Sequence, residues 1–362
     1  MNKTIKTIGL ILLIMTAQTL YGQTTNEEKA IVKIREAIQL MDKGKLDESI
    51  KLLQEAQKLD PENLDISYEL ALAHYMKKDY EGAIKIMEKH IDHKNVTDQM
   101  FQIIANSYDM LGKPDKAFEY CDLGLKKFPN SGILYLSKGI VYEKQGKPAE
   151  AVVNYEKGIE VAPQFPSNYY RAALIFFNST EEVWGMIYGE IFMNLERNTA
   201  RTEQISKLLY DVYKSEIKFT KDKIEVSFSQ NAAINVTDLA NIGNMKLPFG
   251  PGVYEMTLLL SILPEKIINI NTLNTIRTKF VENYFAQGHN KTYPNVLFDY
   301  QKKVKDAGHL EAYNYWILMK GDEAGFDKWK SKNTAKWDNF VRWFTANGLK
   351  LDDKNKFYRE QY

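Results

Sequence analysis

The sequence predicts a mainly α-helical protein: a helical superhelix built from short antiparallel helix pairs, followed by a mostly helical C-terminal domain with a small β element. Three observations carry this expectation. Stepping by 34 residues from Ala37 gives Ala71, Ala105, Gly139 and Ala173, and from Ser49 gives Ala83, Ala117, Ala151 and Gly185, so ten positions in two series are all small. All five tryptophans, Trp184, Trp316, Trp329, Trp337 and Trp343, lie beyond Phe165, which marks a second region with a core of its own. At the start, "MNKTIKTIGLILLIMTAQTLYGQ" places Lys3 and Lys6 before an apolar run over 8–15, in the order of a secretory signal peptide and too short to cross a bilayer.

Taken in order, residues 1–22 are expected to be that signal peptide, cleaved after Gly22, and residues 23–165 to form four helix pairs. Each pair holds two apolar-periodic stretches, a turn between them (Gly44, Lys78, Gly112, Gly146) and a stop after the second (Pro61, Asn95, Pro129, Pro163). The physical reason is packing. Two antiparallel helices approach closely only where small side chains cross, and larger ones such as Leu53, Met87, Cys121 and Tyr155 fill the layer between units.

These columns resemble the tetratricopeptide repeat (TPR). The matching units are 30–63, 64–97, 98–131 and 132–165, with a degenerate fifth from Pro166 to about Thr199. That fifth unit keeps Ala173 and Gly185 but has Gly189 in the large-residue column and Arg197 in place of the terminal proline. The resemblance implies a right-handed superhelix whose concave face, lined by the first helix of each unit, holds peptides or partner helices. Repeat spacing then puts Ile34, Ile38 and Met41, then Tyr68, Leu72, Tyr75 and Met76, then Gln102 and Asn106, then Leu136 and Ile140, on that face. It reads apolar, polar, apolar.

Chaperone-binding members of the family clamp a terminal carboxylate with Lys, Arg and Asn at these inward positions. Here only Asn106 is of that type, and Ile34 and Ile38 stand at equivalent places in the first unit. The expected partner is therefore a protein or peptide, an amphipathic or extended apolar segment of an envelope protein. The alternative occupant is the protein's own N-terminal segment or C-terminal domain.

Residues 166–219 are expected to complete the array with a helix opened by Ser179 and Glu182, buried through Trp184, Ile187, Tyr188, Ile191 and Leu195, and a further helix over about 202–219. In 220–362 the alternation of Ile224, Val226 and Phe228 predicts a strand, with 232–236 as the candidate second half of a hairpin, and "LPFGPGVYE" predicts a loop. Helices follow from Pro264 to about Asn347, broken near Gly288, Gly308, Gly321 and Asn333. The last carries a stripe of Trp337, Phe340, Val341 and Phe344, read as core with sugar stacking as the other use.

A net charge of +1 without a Lys/Arg block speaks against a nucleic-acid partner, and no integral membrane segment remains once the leader is removed. Cys121 is the single cysteine, so no intrachain disulfide can form. His90 and His93 lack an evident third ligand, and no G-x-S-x-G, H-E-x-x-H or P-loop pattern occurs; no metal, cofactor or catalytic residue is assigned. Glu190, Glu196, Arg197 and Arg201 read as a knot of surface salt bridges. An exported interaction scaffold, periplasmic or extracellular, is the reading these features favour. A glycan- or solute-binding protein using the aromatic C-terminal half, or a hydrolase with an unrecognised catalytic domain around His289 and His309, are the alternatives. Nothing in the sequence sets the oligomeric state.

Overall fold

The computed structural model of the protein describes residues 25–221, 223–230, 247–263 and 265–362. The leader expected at 1–22 and the strand expected at 232–236 lie outside the described residues. The chain forms two compact units, Met1–Gly124 and Leu125–Tyr362.

In the first unit α1 (Asn26–Asp42) pairs with α2 (Leu46–Leu59), and α3 (Leu64–Met76) with α4 (Tyr80–Met87), which ends in a 3-10 turn. Next come α5 (Asp98–Met110) and α6 (Pro114–Lys127), the latter spanning the division. Side-chain caps start three of these helices. Thr25 and Glu28 form a capping box on α1, Asn63 accepts from Asp65 N–H at α3, and Asp79 accepts from Gly82 N–H at α4. Asp79 Oδ2 also lies 2.6 Å from His74 Nδ1, tying the two helices of that pair, and this bond, with that from Gly82, holds the Asp79 carboxyl below its ordinary range.

The turns need a left-handed residue. Gly44 and Gly112 supply it at φ 71°, and Lys78 adopts it at 66° despite its side chain. Between the helices the small columns are closed to water: Ala37, Ala71, Ala83, Ala117 and Ser49 are all 0% exposed. Leu53 and Met87 fill the adjoining layer, and burying each stabilises the unit by about 1.5–3 kcal/mol.

The second unit repeats the pattern and then departs from it. Here α7 (Gly132–Lys144) packs on α8 (Pro148–Val161), and α9 (Pro166–Phe176) on both α8 and α10 (Glu182–Leu195). A Cβ on Gly139 would sit inside van der Waals contact with the Tyr155 ring, so the large residue of one column occupies the space left by the small one. In the degenerate pair, Phe177 closes on Gly185 and Gly189, which is where the missing large side chain is made good. One continuous hydrophobic core runs from Ala151 to Phe357, so the domain border read at Phe165 falls inside it.

Beyond these pairs lie α11 (Ala200–Glu216), β1 (Ile217–Phe219), β2 (Ile224–Val226), α12 (Met256–Ile262), α13 (Ile270–Ala286), α14 (Val296–Asp306), α15 (Leu310–Leu318), α16 (Glu323–Lys332) and α17 (Thr334–Ala346). The breaks at Gly288, Gly308, Gly321 and Asn333 fall between helices as expected. Residues 347–362 then return along the unit. Arg359 donates to both carboxylate oxygens of Glu156 on α8, at 3.0 and 2.9 Å, and its N–H to the Tyr188 hydroxyl at 2.8 Å.

Four local expectations are corrected. The helix expected to reach Phe219 ends at Glu216, because 217–219 pairs antiparallel with 224–226 in the register Ile217↔Val226. "FGPGVYE" is a turn of π-helix, Phe249–Glu255, leading into α12. Pro251 sits in its first turn, where no intrahelical donor is lost, and a Cβ on Gly250 would strike Ser229. Ser179 does not cap α10; it accepts from Glu181 N–H one turn earlier. Of the last stripe, Phe340 and Phe344 are buried while Val341 stands 42% exposed.

Candidate functional site

In the first unit the first helices α1, α3 and α5 carry nine of the eleven residues expected on the binding face. Ile34 and Ile38 are half-buried and rest against Ala37, Leu53 and Leu70. Met41 belongs wholly to that cluster at 5% exposure, since α2 and α3 cover the last turn of α1, so it offers nothing to a partner. Tyr68, Leu72 and Tyr75 are half-buried against a cluster of Ala71, Met87 and Ile104, with Met76 44% exposed beside them. Gln102 and Asn106 on α5 are half-buried.

Carboxylates border these side chains. Burial raises the pKa of Glu69 and the charge of Asp65 adds to it. Burial, then Glu69 and Asp98, raises that of Tyr68, and burial, then Tyr80 and Asp109, that of Tyr75. On α3 the surface offers tyrosine faces and aliphatic groups beside carboxylates. In the second unit Leu136 and Ile140 are half-buried on α7 and lean on its core.

The polar residues picked out in the second half are not one knot. Glu196 takes Arg201, whose Nε donates to Oε1 at 2.9 Å, and Arg197 stacks on the Phe344 ring at 3.7 Å. Glu190 turns inward. Its Oε1 accepts from Arg277 Nη2 at 2.7 Å, Gln301 Nε2 at 2.6 Å and the Tyr313 hydroxyl at 2.9 Å. Arg277 in turn donates to Asn314 Oδ1 and the Tyr213 hydroxyl. Burial alone would lower the Arg277 pKa, but Glu190 and Tyr213 outweigh it, and the guanidinium stays charged. The adjoining cavity of about 20 Å³ has room for about one water. This centre binds α10, α13, α14 and α15 together. The signal for it was Glu190 as the one charged residue in the run 183–194, all of which is buried.

Two other features bear on chemistry. A cleft of about 440 Å³ is walled by Trp184, Phe249, Tyr293 and Tyr362, but the first three are nearly closed to water, their rings turned onto one another. Nearby, burial and then Glu216, Glu181 and Glu255 push the Glu182 carboxyl up to about 7. Among the described residues no group of three or more His, Cys, Asp or Glu is arranged to hold a metal ion. His93 Nδ1 accepts from Asn95 N–H, and Cys121 is buried.

A tetratricopeptide repeat family model matches residues 34–95, and a second matches residues 133–165. The chain therefore carries tetratricopeptide repeats. It is 29% identical over 104 residues to a TPR repeat-containing protein of Methanocaldococcus jannaschii, covering 29% of this chain and 18% of that relative. The chain thus spans under a fifth of the curated relative it matches. Among solved structures it is similar to a thermophilic TPR protein of Thermus thermophilus, with 14% identity, a TM-score of 0.44, and coverage of 50% of this chain and 98% of that one. It is also similar to pilF of Pseudomonas aeruginosa, with 17% identity, a TM-score of 0.42, and coverage of 52% and 86%.

Proposed function

We propose that the protein is an exported interaction scaffold whose first repeat helices hold a peptide or amphipathic segment of an envelope protein. The observation that carries the reading is the face of α3: Tyr68, Leu72 and Tyr75 half-buried in a row, with Met76 left 44% exposed at its end. Side chains so placed lose little further entropy on binding and present apolar and aromatic surface, the combination found at interaction hot spots. Export is supported by the order of Lys3, Lys6 and the apolar run over 8–15. Among the described residues no helix is long and apolar enough to cross a membrane.

Met76→Asp tests this reading. The position is exposed, so the variant should melt with the parent while losing its partner in the host cell envelope. A variant that melts normally and keeps the same partner at the same yield would contradict the proposal.

A further inference from the structure

We infer that the segment held by this face is cationic as well as apolar, with Lys or Arg side chains set one to two helical turns from its apolar anchors. This rests on the scaffold reading and narrows it. The two adjoining first helices α3 and α5 carry the carboxylates Asp65, Glu69, Asp98 and Asp109 and not one Lys or Arg. The second helices are mixed: α2 bears Lys51 and Lys58 with Asp47, Glu48 and Glu55, and α4 bears Lys85 with Glu81. The remaining first helix, α1, is mixed as well, with Lys29, Lys33 and Arg35 beside Glu27, Glu28, Glu36 and Asp42, so the negative charge is a property of the α3 and α5 part of this face.

Glu69 is the sharpest point of that field. Its carboxylate is partly removed from water, stands one turn from Asp65 on the same stripe, and has no ion pair or hydrogen bond among the described residues. A carboxylate in that state is held at a cost that a partner's ammonium or guanidinium would remove. The same stripe continues from Glu69 to Leu72 and Met76, so acid gives way to apolar surface within about two turns, or about 10 Å. Tyr68 and Tyr75 flank it with ring faces, which attract a cation further. An anionic segment would meet repulsion from Asp65 and Glu69 on the same ground.

The test uses the full chain and three labelled helical peptides of Leu and Ala that carry Lys, Gln or Glu at the same polar positions. Fluorescence anisotropy should show binding of the Lys peptide, weaker by about ten-fold between low and physiological salt, with the Gln peptide weaker and the Glu peptide silent. The double variant Asp65→Asn/Glu69→Gln should weaken the Lys peptide about five-fold or more while its melting curve shows it folded. Equal affinity for the Gln peptide, an unchanged double variant, or no binding of any peptide overturns the inference. So does an intramolecular crosslink from Met76 to residues before Thr25, which would make the occupant internal. A partner lost in Met76→Asp but indifferent to the double variant would leave the scaffold reading standing and sink only the charge preference.

Discussion

Arg277 and Glu190, 87 residues apart, meet as an ion pair at 2.7 Å with side chains only 5% and 3% exposed. The pair joins a helix of the last repeat-like unit, α10, to α13 in the region beyond it. It lies inside the hydrophobic core that runs from Ala151 to Phe357 and ties those two helices together there.

Removing one partner leaves the other charged and buried, which costs about 3–5 kcal/mol. Arg277→Met should therefore lower the melting temperature of the second unit by about 10 °C, at about 2–4 °C per kcal/mol for a body of this size. Adding Glu190→Met should restore much of the loss. A single variant that costs under about 1 kcal/mol would show the pair to be dispensable.

Stability should also fall across neutral pH because of Glu182. Its folded pKa of about 7 lies above the ordinary 4.5, so the folded state holds a proton that the unfolded chain has released. That contribution is present below about 4.5 and lost as pH rises through 7. Glu182→Gln has no proton to lose. Between pH 5 and 8 it should gain about 1 kcal/mol on the parent, a figure reduced for the water that reaches this carboxyl. Parallel pH profiles would refute the assignment.

Lys78 occupies a left-handed turn position where the other repeats have glycine, at φ 66°. Lys78→Gly should raise stability by about 0.5–1 kcal/mol in chemical denaturation, the steric relief exceeding the added chain entropy. A loss of stability would mean that the lysine makes a compensating contact in the native turn.

What could be read from the sequence was what is local and repeated. Ala37, Ala71 and Ala83 announce helix crossings because close approach admits only small residues, and the 34-residue step needs no knowledge of distant chain. The strand 217–219 was hidden because its residues continue the α11 pattern, and its pairing with 224–226 is decided by tertiary context. The helical turn at 249–255 was hidden by Pro251 and two glycines that serve close packing instead of a loop. Glu190 was visible, but Arg277 could not be matched to it, since no spacing rule relates residues that far apart. On the face itself, the aromatic and aliphatic side chains were legible from repeat position. Burial of Met41 depends on how α2 and α3 close over the end of α1.

The central claim is that the α3 face engages another protein, and site-specific photo-crosslinking in the native host tests it most directly. A probe at Leu72 is compared with one at exposed Lys85 on α4, the second helix of the same repeat. The account predicts a discrete adduct to one envelope protein from Leu72 and none from Lys85. Adducts only to the chain itself, or the same adducts from both positions, would contradict it.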